Sequence, residues 1–262
     1  MHVESTVSRH HPVYLRSTLL AESHSDTLSA GAPSPGSRIV NLITDFPIAH
    51  RNLKQGEHLF RAGNDFHFFY VLNAGFAKTC HVSADGREQT TGFHLRGDIL
   101  GLEAVATGTY SVDAIALDIC DVLSIPYDAV ITHGQRNPDL IRELHRAFGS
   151  EIRSDRDLML NIGSLPAEGR VAAFLLEMSQ RFGARGFSPT ALQLRLTRQE
   201  IGSLLGLKLE TVSRTFSRFA KLGLITVHLR EIELLDFDGL RDIIARPNEL
   251  SAHAAFQAGL AN

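Results

Sequence analysis

The chain has 262 residues, a formal net charge of −3, and 44% hydrophobic against 21% charged residues, the proportions of a soluble globular protein of about two domains. It has no apolar run long enough to cross a membrane, and its N-terminus lacks the basic start and apolar core of a signal peptide. Two cysteines exclude a disulfide framework. These features predict a cytoplasmic protein that does not associate with membranes.

The N-terminal half divides into an extension and a strand-rich region. Residues 1–40 are rich in Ser, His, Gly and Pro, which predicts a flexible extension. In residues 41–137, short apolar runs are separated by glycine-containing turns, and the pair Asp85 and Gly86 between two such runs is a hairpin signal. Many short strands at this spacing favour an antiparallel barrel or jelly roll.

One long helix is predicted over residues 138–163. Its stripe, with spacings of three and four residues and one acidic interruption, is typical of a coiled-coil seam and consists of Leu140, Leu144, Phe148, Ile152, Asp155, Met159 and Ile162. If the stripe faces a second copy of the chain, Asp155 brings two like charges together and weakens the dimer. The alternative is a helix packed on its own barrel.

The strongest local signal lies within residues 164–246. Thr197 followed by Glu200 is a capping box, which begins a helix whose apolar positions lie three and four residues apart. Gly206 interrupts the pattern, and a second helical run follows with Val212 and Phe216 on its inner face. Two short helices joined by a tight glycine-containing turn are a helix-turn-helix.

The second of these helices has side chains suited to base recognition on the face opposite Val212 and Phe216. Arginine can donate two parallel hydrogen bonds to guanine, glutamate can accept one from cytosine, and serine can bond to several bases. Residues 197–221 contain five basic and two acidic side chains, which favours phosphate attraction. The predicted DNA-binding residues are Thr197, Arg198, Lys208, Glu210, Ser213, Arg214 and Arg218. The alternative is an ordinary helical hairpin with a solvated charged face.

The flanking segments predict a winged domain and a tail. Residues 170–182 have the pattern of an amphipathic helix, residues 192–197 alternate as a strand, and residues 224–235 read as a β-hairpin wing that turns near Leu229. Residues 247–262 read as a loose C-terminal tail.

The segment TRQEIGSLLGLKLETVSRTFSRF resembles the DNA-binding motif of the CRP/FNR superfamily of bacterial transcription regulators, and its ETVSR core is similar to the FNR branch. RFGARGFSP and GFHLRGDILG are also similar to that branch, and the resemblance covers residues 53–244. It implies an α+β fold: a cyclic-nucleotide-binding-like β-roll (jelly roll), a long dimerisation helix and a C-terminal winged helix-turn-helix.

The resemblance also implies a function. The expected protein is a homodimer that binds palindromic double-stranded DNA with TTGAT-type half-sites and activates transcription by contacting RNA polymerase. The loop of Asp85 and Gly86 and the RFGARGFSP loop are similar to the family's activating surfaces. Two positions depart from the pattern: Lys208 replaces the usual Ser or Thr helix cap, and Leu229 replaces a turn glycine.

Other departures concern the family's ligands. Leu102 and Tyr110 stand where cAMP receptors carry the glutamate and arginine that hold the nucleotide, so a buried phosphate would have no cationic partner. No cysteine stands at the positions that hold the FNR iron–sulfur cluster. We therefore expect no cofactor and no metal site. Cys120 is expected to be a small buried hydrophobe, with a redox role as the alternative.

Two other functional classes remain open at this point. One is a regulator of the same fold that responds to haem, nitric oxide or another small ligand. The other is a metal enzyme of the cupin type, which would need clustered His and Glu ligands. Scattered strand histidines are more often structural, so we expect no catalytic residues and no enzyme activity.

Overall fold

The computed structural model describes residues 34–43 and 48–246. The first 33 residues of the predicted extension and the predicted tail from residue 247 lie outside the described residues. Among the helices of the described part, none is long and apolar enough to span a membrane.

The N-terminal half is an antiparallel β-roll, as the sequence predicts. Its strands are β1 (Ala49–Leu53), β2 (His58–Phe60), β3 (Phe68–Ala74), β4 (Ala77–Val82), β5 (Glu88–His94), β6 (Ile99–Leu100), β7 (Asp113–Ala116) and β8 (Cys120–Pro126). They form two four-stranded sheets, in the orders β1-β8-β3-β6 and β2-β7-β4-β5, and a 3-10 turn at Glu103–Ala106 follows β6. The predicted hairpin at Asp85 and Gly86 is confirmed, because β4 pairs with β5 across a turn in which Gly86 adopts a positive φ of 81°.

Two helices follow the roll. Helix α2 (Tyr127–Gly134) leads into the long helix α3 (Pro138–Ser164), whose first turn is capped by the Asn137 side chain. Along α3 the burial changes. Leu140 and Leu144 are buried in the core of the roll, while the second half of the helix is largely exposed.

Helix α1 (Pro35–Leu42) corrects the predicted flexible extension, which ran to residue 40. The Ser34 hydroxyl caps its first turn, and Ile39 is buried in the core of the roll. The Arg38 guanidinium lies 2.7 Å from the carboxylate of Glu143 on α3. The helix is only eight residues long and begins in a segment of Ser, Gly and Pro, so composition hides it, and contacts with the distant α3 and the core of the roll help to stabilise it.

The C-terminal part is a winged helix-turn-helix, as predicted. It consists of α4 (Ala167–Ala184), β9 (Ala191–Gln193), α5 (Arg198–Leu205), α6 (Leu209–Lys221), β10 (Ile225–His228), β11 (Glu231–Leu234) and α7 (Phe237–Ala245). The strand expected over residues 192–197 is limited to β9, which pairs with β11 so that the wing is a three-stranded sheet in the order β10-β11-β9. Helix α7, whose first turn is capped by Asp236, is not among the elements predicted from the sequence.

The roll and the winged domain share apolar packing. Phe93 and Leu95 of the roll belong to the same buried cluster as Phe182 of α4. The ring of Phe76 stacks between Phe93 and Phe182, with centroids 5.9 and 6.2 Å away. The two parts are therefore joined by buried side chains in addition to the chain connection through α3.

His94 lies at this junction and is buried. Its Nε2 atom is 3.1 Å from the hydroxyl of Thr79. Burial is the main cause that lowers the pKa of His94 to about 4; Arg181 and Arg185 lower it further, and Asp98 opposes them. The folded protein therefore keeps this imidazole neutral well below the pKa of an unfolded histidine.

We expect His94 to make the protein less stable in mild acid. The unfolded chain gains a proton on this residue near pH 6.5 and the folded chain only near pH 4, so stability falls as the pH drops between these values. From about pH 7.5 to about pH 5 the loss from this group is about 2 kcal/mol. Urea unfolding of the wild type and His94→Gln at both pH values measures it, with exposed His81→Gln as the control. Equal losses in wild type and His94→Gln would contradict this account.

Candidate nucleic-acid interface

The predicted capping box begins α5. The backbone N–H of Glu200 donates to the Thr197 hydroxyl at 3.2 Å, and the backbone N–H of Thr197 donates to the Glu200 carboxylate at 2.7 Å. Both residues thus hold the start of the helix. Thr197 itself is exposed at the N-terminal end of α5, where backbone N–H groups favour an anion.

Arg198 follows the cap and packs on the second helix of the motif. Its guanidinium carbon lies 3.9 Å above the centre of the Phe216 ring, which is a close cation–π contact. Burial lowers the pKa of Arg198. This predicted DNA-binding side chain is therefore partly buried and joins α5 to α6, a role that the sequence pattern did not reveal.

The turn between α5 and α6 depends on two glycines. Gly206 ends α5 with a left-handed φ of 64°, a conformation that other residues adopt at a cost. A Cβ atom on Gly202 would lie 2.6 Å from the carbonyl oxygen of Leu207 and 3.4 Å from Val212. The missing side chain at Gly202 lets the turn and α6 approach α5 closely.

Helix α6 is strongly amphipathic. Val212 and Phe219 are fully buried and Phe216 is 3% exposed, as the predicted inner face requires. The opposite face of the first turns is open to solvent and carries Glu210, Ser213 and Arg214. Within the described part of the chain, the side chains of these three residues have no hydrogen-bond or ion-pair partner, so they are available to an external ligand.

Lys208 occupies the N-cap position of α6, and its side chain makes no capping hydrogen bond. The departure from a Ser or Thr cap therefore leaves the first N–H groups of α6 without a side-chain acceptor, which costs about 1 kcal/mol. Lys208 is exposed at the N-terminal end of α6, where its ammonium can meet a phosphate.

Arg218 lies one turn further along α6 than Arg214, and its position differs from the prediction in one respect. Its guanidinium is 2.6 Å from the carboxylate of Glu168 in the first turn of α4. Arg218, Arg214 and Lys221 line the same open groove. Arg218 therefore divides its charge between an acidic partner of its own chain and this groove, a pairing over 50 residues that the local pattern could not reveal.

The wing turns at Leu229, as the sequence suggests, between β10 and β11. Leu229 is 95% exposed and has a φ of 55°, so it takes the left-handed conformation that glycine adopts more easily. The hairpin register, with His228 opposite Glu231, is nevertheless regular. The missing turn glycine is thus tolerated with local strain.

The predicted dimer residues fall into two groups. Leu144 is buried and Phe148 is partly buried in the core of their own chain. For these two residues the structure therefore matches the alternative prediction, in which the helix packs on its own barrel. On the second half of α3, Ile152 is 58% exposed and Met159 is 73% exposed. Asp155 is also exposed, and Ile162 is half-buried. The available stripe is therefore shorter than the predicted one and begins after Phe148.

Neither cysteine has the surroundings of a reactive thiol. The Cys120 thiol is buried and donates to the carbonyl oxygen of Phe76 at 3.1 Å, and burial raises its pKa. Burial also raises the pKa of Cys80, to about 11. Because the thiolate is the reactive form, this geometry disfavours the redox alternative for Cys120. Across residues 34–43 and 48–246, no three His, Cys, Asp or Glu side chains are grouped to hold a metal ion.

The region of the roll that corresponds to a nucleotide site is filled by apolar and aromatic side chains. Tyr110 is 3% exposed, its ring stacks on Phe60 with centroids 3.9 Å apart, and its hydroxyl donates to the carbonyl oxygen of Phe68 at 2.8 Å. Leu102 is also buried. A separate apolar cavity of about 10 Å³ lies outside this region, between Ile39 of α1 and the sheet that contains β3, β6 and β8.

Two family models match the chain in the order of these two parts. The model of the cyclic nucleotide-binding domain matches residues 50–137, and the model of the Crp-like helix-turn-helix domain matches residues 169–243.

Comparisons with individual proteins agree with these two matches. The transcriptional activator protein anr of Pseudomonas aeruginosa is 42% identical over 186 residues, which cover 71% of this chain and 76% of that protein. The fumarate and nitrate reduction regulatory protein of Escherichia coli is 36% identical over 191 residues, 73% of this chain and 76% of that protein. The structure of FixK2 from Bradyrhizobium japonicum superposes with a TM-score of 0.69 and 28% identity, over 75% of this chain and 97% of that one. The chain therefore belongs to the CRP/FNR family, whose members are transcription regulators and not enzymes.

Proposed function

We propose that the protein binds a palindromic FNR-like DNA site as a homodimer and activates transcription. The observation that carries the proposal is the outward face of α6. Glu210, Ser213 and Arg214 are exposed and have no partners among the described residues, while the buried face of the helix fixes the direction in which they point.

These side chains would enter the major groove and contact base edges. Arg214 is suited to the O6 and N7 atoms of a guanine and Glu210 to the amino group of a cytosine. Lys208 and Lys221 at the two ends of α6, with Arg198 and the exposed cap residue Thr197 on α5, are suited to phosphates on either side of the groove.

The second half of α3 supports dimerisation. Ile152, Met159 and Leu160 are large apolar side chains that are 58%, 73% and 60% exposed, which is unusual for a helix of a monomer. Asp155 lies among them. A parallel pair of these helices would bury the apolar residues and place two reader helices in one palindromic site.

Contact with RNA polymerase is proposed for the hairpin tip between β4 and β5. Asp85 is exposed there and is held by the guanidinium of Arg87 at 2.6 Å, and Gly86 completes the turn. The RFGARGFSP loop is the second candidate contact, where Phe187 is 43% exposed.

We further propose that neither cAMP nor an iron–sulfur cluster controls DNA binding. The aromatic packing of Tyr110 on Phe60 supports the first point. The second is supported by the number and burial of the cysteines, since such clusters require four ligands.

Base readout is tested by comparing two substitutions. We expect Arg214→Ala to cost about 1–3 kcal/mol on a matched duplex and to relax discrimination at one guanine, because the bidentate contact is lost. Lys208→Ala should weaken binding to all duplexes about equally and lower the salt slope by about one. Binding is measured on matched and single-base-altered duplexes at several salt concentrations, with Arg61→Ala in the roll as control. Equal weakening of every duplex by Arg214→Ala would make this arginine a phosphate contact and contradict the assignment.

The proposed dimer interface along the second half of α3 is tested by Asp155→Ala. Desolvation already raises the pKa of this carboxyl in the single chain, and two facing carboxylates would oppose association. We expect the substitution to tighten the dimer, measured by sedimentation at several concentrations. Asp157→Ala removes the same charge from the same helix outside the stripe and should change little. A dimer that is unchanged or weaker in Asp155→Ala would mean that Asp155 does not face its mate.

A further inference from the structure

The hairpin of β4 and β5 is bonded directly to α5, the first helix of the DNA-binding motif. Lys78 on β4 is central to this contact, and its side chain is only 9% exposed. Its ammonium donates to the carboxylate of Glu88 on the neighbouring strand and, at 2.7 Å, to the carboxylate of Glu200 on α5. The ammonium of the roll thus lies between one carboxylate of the roll and one carboxylate of the helix-turn-helix.

The carboxylate of Glu200 links two structures. Its Oε1 atom accepts from Lys78, while its Oε2 atom accepts from the backbone N–H of Thr197 at 2.7 Å and from the Thr197 hydroxyl at 2.8 Å. The group that closes the capping box of α5 is therefore the group that ties α5 to the roll. Movement of α5 away from the roll would break the ion pair or the cap.

A second attachment lies one turn further along α5. The backbone N–H of Thr90 on β5 donates to the hydroxyl of Ser203 at 2.8 Å, and the side-chain amide of Gln89 donates to the carbonyl oxygen of Ser203. Two attachments one turn apart, at Glu200 and Ser203, fix both the position of α5 and its rotation against the hairpin. We call these contacts of Lys78, Glu200 and Ser203 the hairpin clamp.

The clamp keeps its charges in the folded protein. Burial acts to lower the pKa of Lys78, but the hydrogen bonds that it donates to Glu200 and Glu88, with the negative charges of these two residues, outweigh burial and the pKa is raised. Burial acts to raise the pKa of Glu200, and the hydrogen bonds from Lys78 and Thr197 outweigh it in turn. Both partners are therefore ionised near neutral pH, and removing Lys78 leaves the carboxylates of Glu88 and Glu200 without their shared cation.

The clamp links the helix-turn-helix, through the roll, to α3, the helix of the proposed dimer interface. The roll is fixed to α3 through the buried residues Leu140 and Leu144, and the hairpin fixes α5 to the roll. In a dimer built on α3, the direction of each α6 relative to the two-fold axis then depends on the clamp together with the packing of Phe76 between Phe93 and Phe182. The separation of the two reader helices decides which half-site spacing fits, since half-sites must lie on one face of the duplex.

We infer that Lys78, through Glu200 and Ser203, is a positioning residue that determines the spacing between half-sites which the protein accepts. The inference rests on the proposed palindromic dimer. It assigns no base contact to the clamp, so base preference within a half-site should not depend on Lys78.

The test compares wild type with Lys78→Met, which keeps an apolar stem of similar length without the charge. The probes are duplexes with two TTGAT-type half-sites moved closer or apart by single base pairs, and a duplex with one half-site. We expect the wild type to favour one spacing and Lys78→Met to lose about fivefold or more of that preference. Affinity for the single half-site should be unchanged. Lys54→Met, an exposed lysine of the roll, is the matched control.

Two further variants keep the test decisive if Lys78→Met is poorly folded. Ser203→Ala removes the hydroxyl that accepts from the backbone N–H of Thr90, leaves the bond from Gln89 to the backbone carbonyl, and changes no charge. Glu200→Gln preserves the capping box, which accepts Gln, but removes the ion pair. Both should relax spacing preference in the same direction as Lys78→Met. If Ser203→Ala and Glu200→Gln keep the spacing preference of the wild type, the inference is wrong. It is also wrong if the variants lose as much affinity for the single half-site as for the spaced palindromes, because the clamp would then support only the fold of the helix-turn-helix.

Failure of the proposed function gives a different experimental result from failure of the inference. If the unsubstituted chain binds the single half-site as well as every spaced palindrome and sediments as one chain per duplex, the palindromic dimer is wrong, and the inference falls with it before any variant is made.

Discussion

The burial of one face of α6 is the constraint on which the DNA-binding surface depends. Truncating a buried phenylalanine such as Phe216 or Phe219 costs about 3–5 kcal/mol. A single base contact contributes about 1–3 kcal/mol. Turning α6 about its axis to present other residues would therefore cost more than a base contact could return. The direction of Glu210, Ser213 and Arg214 is set by packing before any DNA is present.

Much of the site could be predicted from the sequence because its causes are local. The capping box needs only Thr197 and Glu200, the hairpin turn needs only Asp85 and Gly86, and the amphipathic pattern of α6 is complete within four turns. Each of these is a relation between residues a few positions apart, so periodicity and turn chemistry suffice to find it. The order of the β-roll, the long helix and the winged domain followed from the same signals together with the family resemblance.

The rest lay beyond local patterns. The partners Lys78 and Glu200 are 122 residues apart, and Arg218 and Glu168 are 50 apart, so no spacing rule connects them. The stripe on α3 illustrates a different limit. Spacings of three and four residues identify an apolar face but not what covers it, and Leu144 turned out to face its own roll. Helix α1 was missed because tertiary contacts stabilise a segment of coil-like composition.

The most direct test of the central claim is the mass of the complex between air-purified protein and a duplex that carries a palindrome of TTGAT-type half-sites, recorded by sedimentation with simultaneous absorbance. We expect two chains per duplex, no absorbance from an iron–sulfur cluster, and an unchanged complex when an iron chelator is present. A brown protein whose complex is lost in air, or a complex with one chain per duplex, would contradict it.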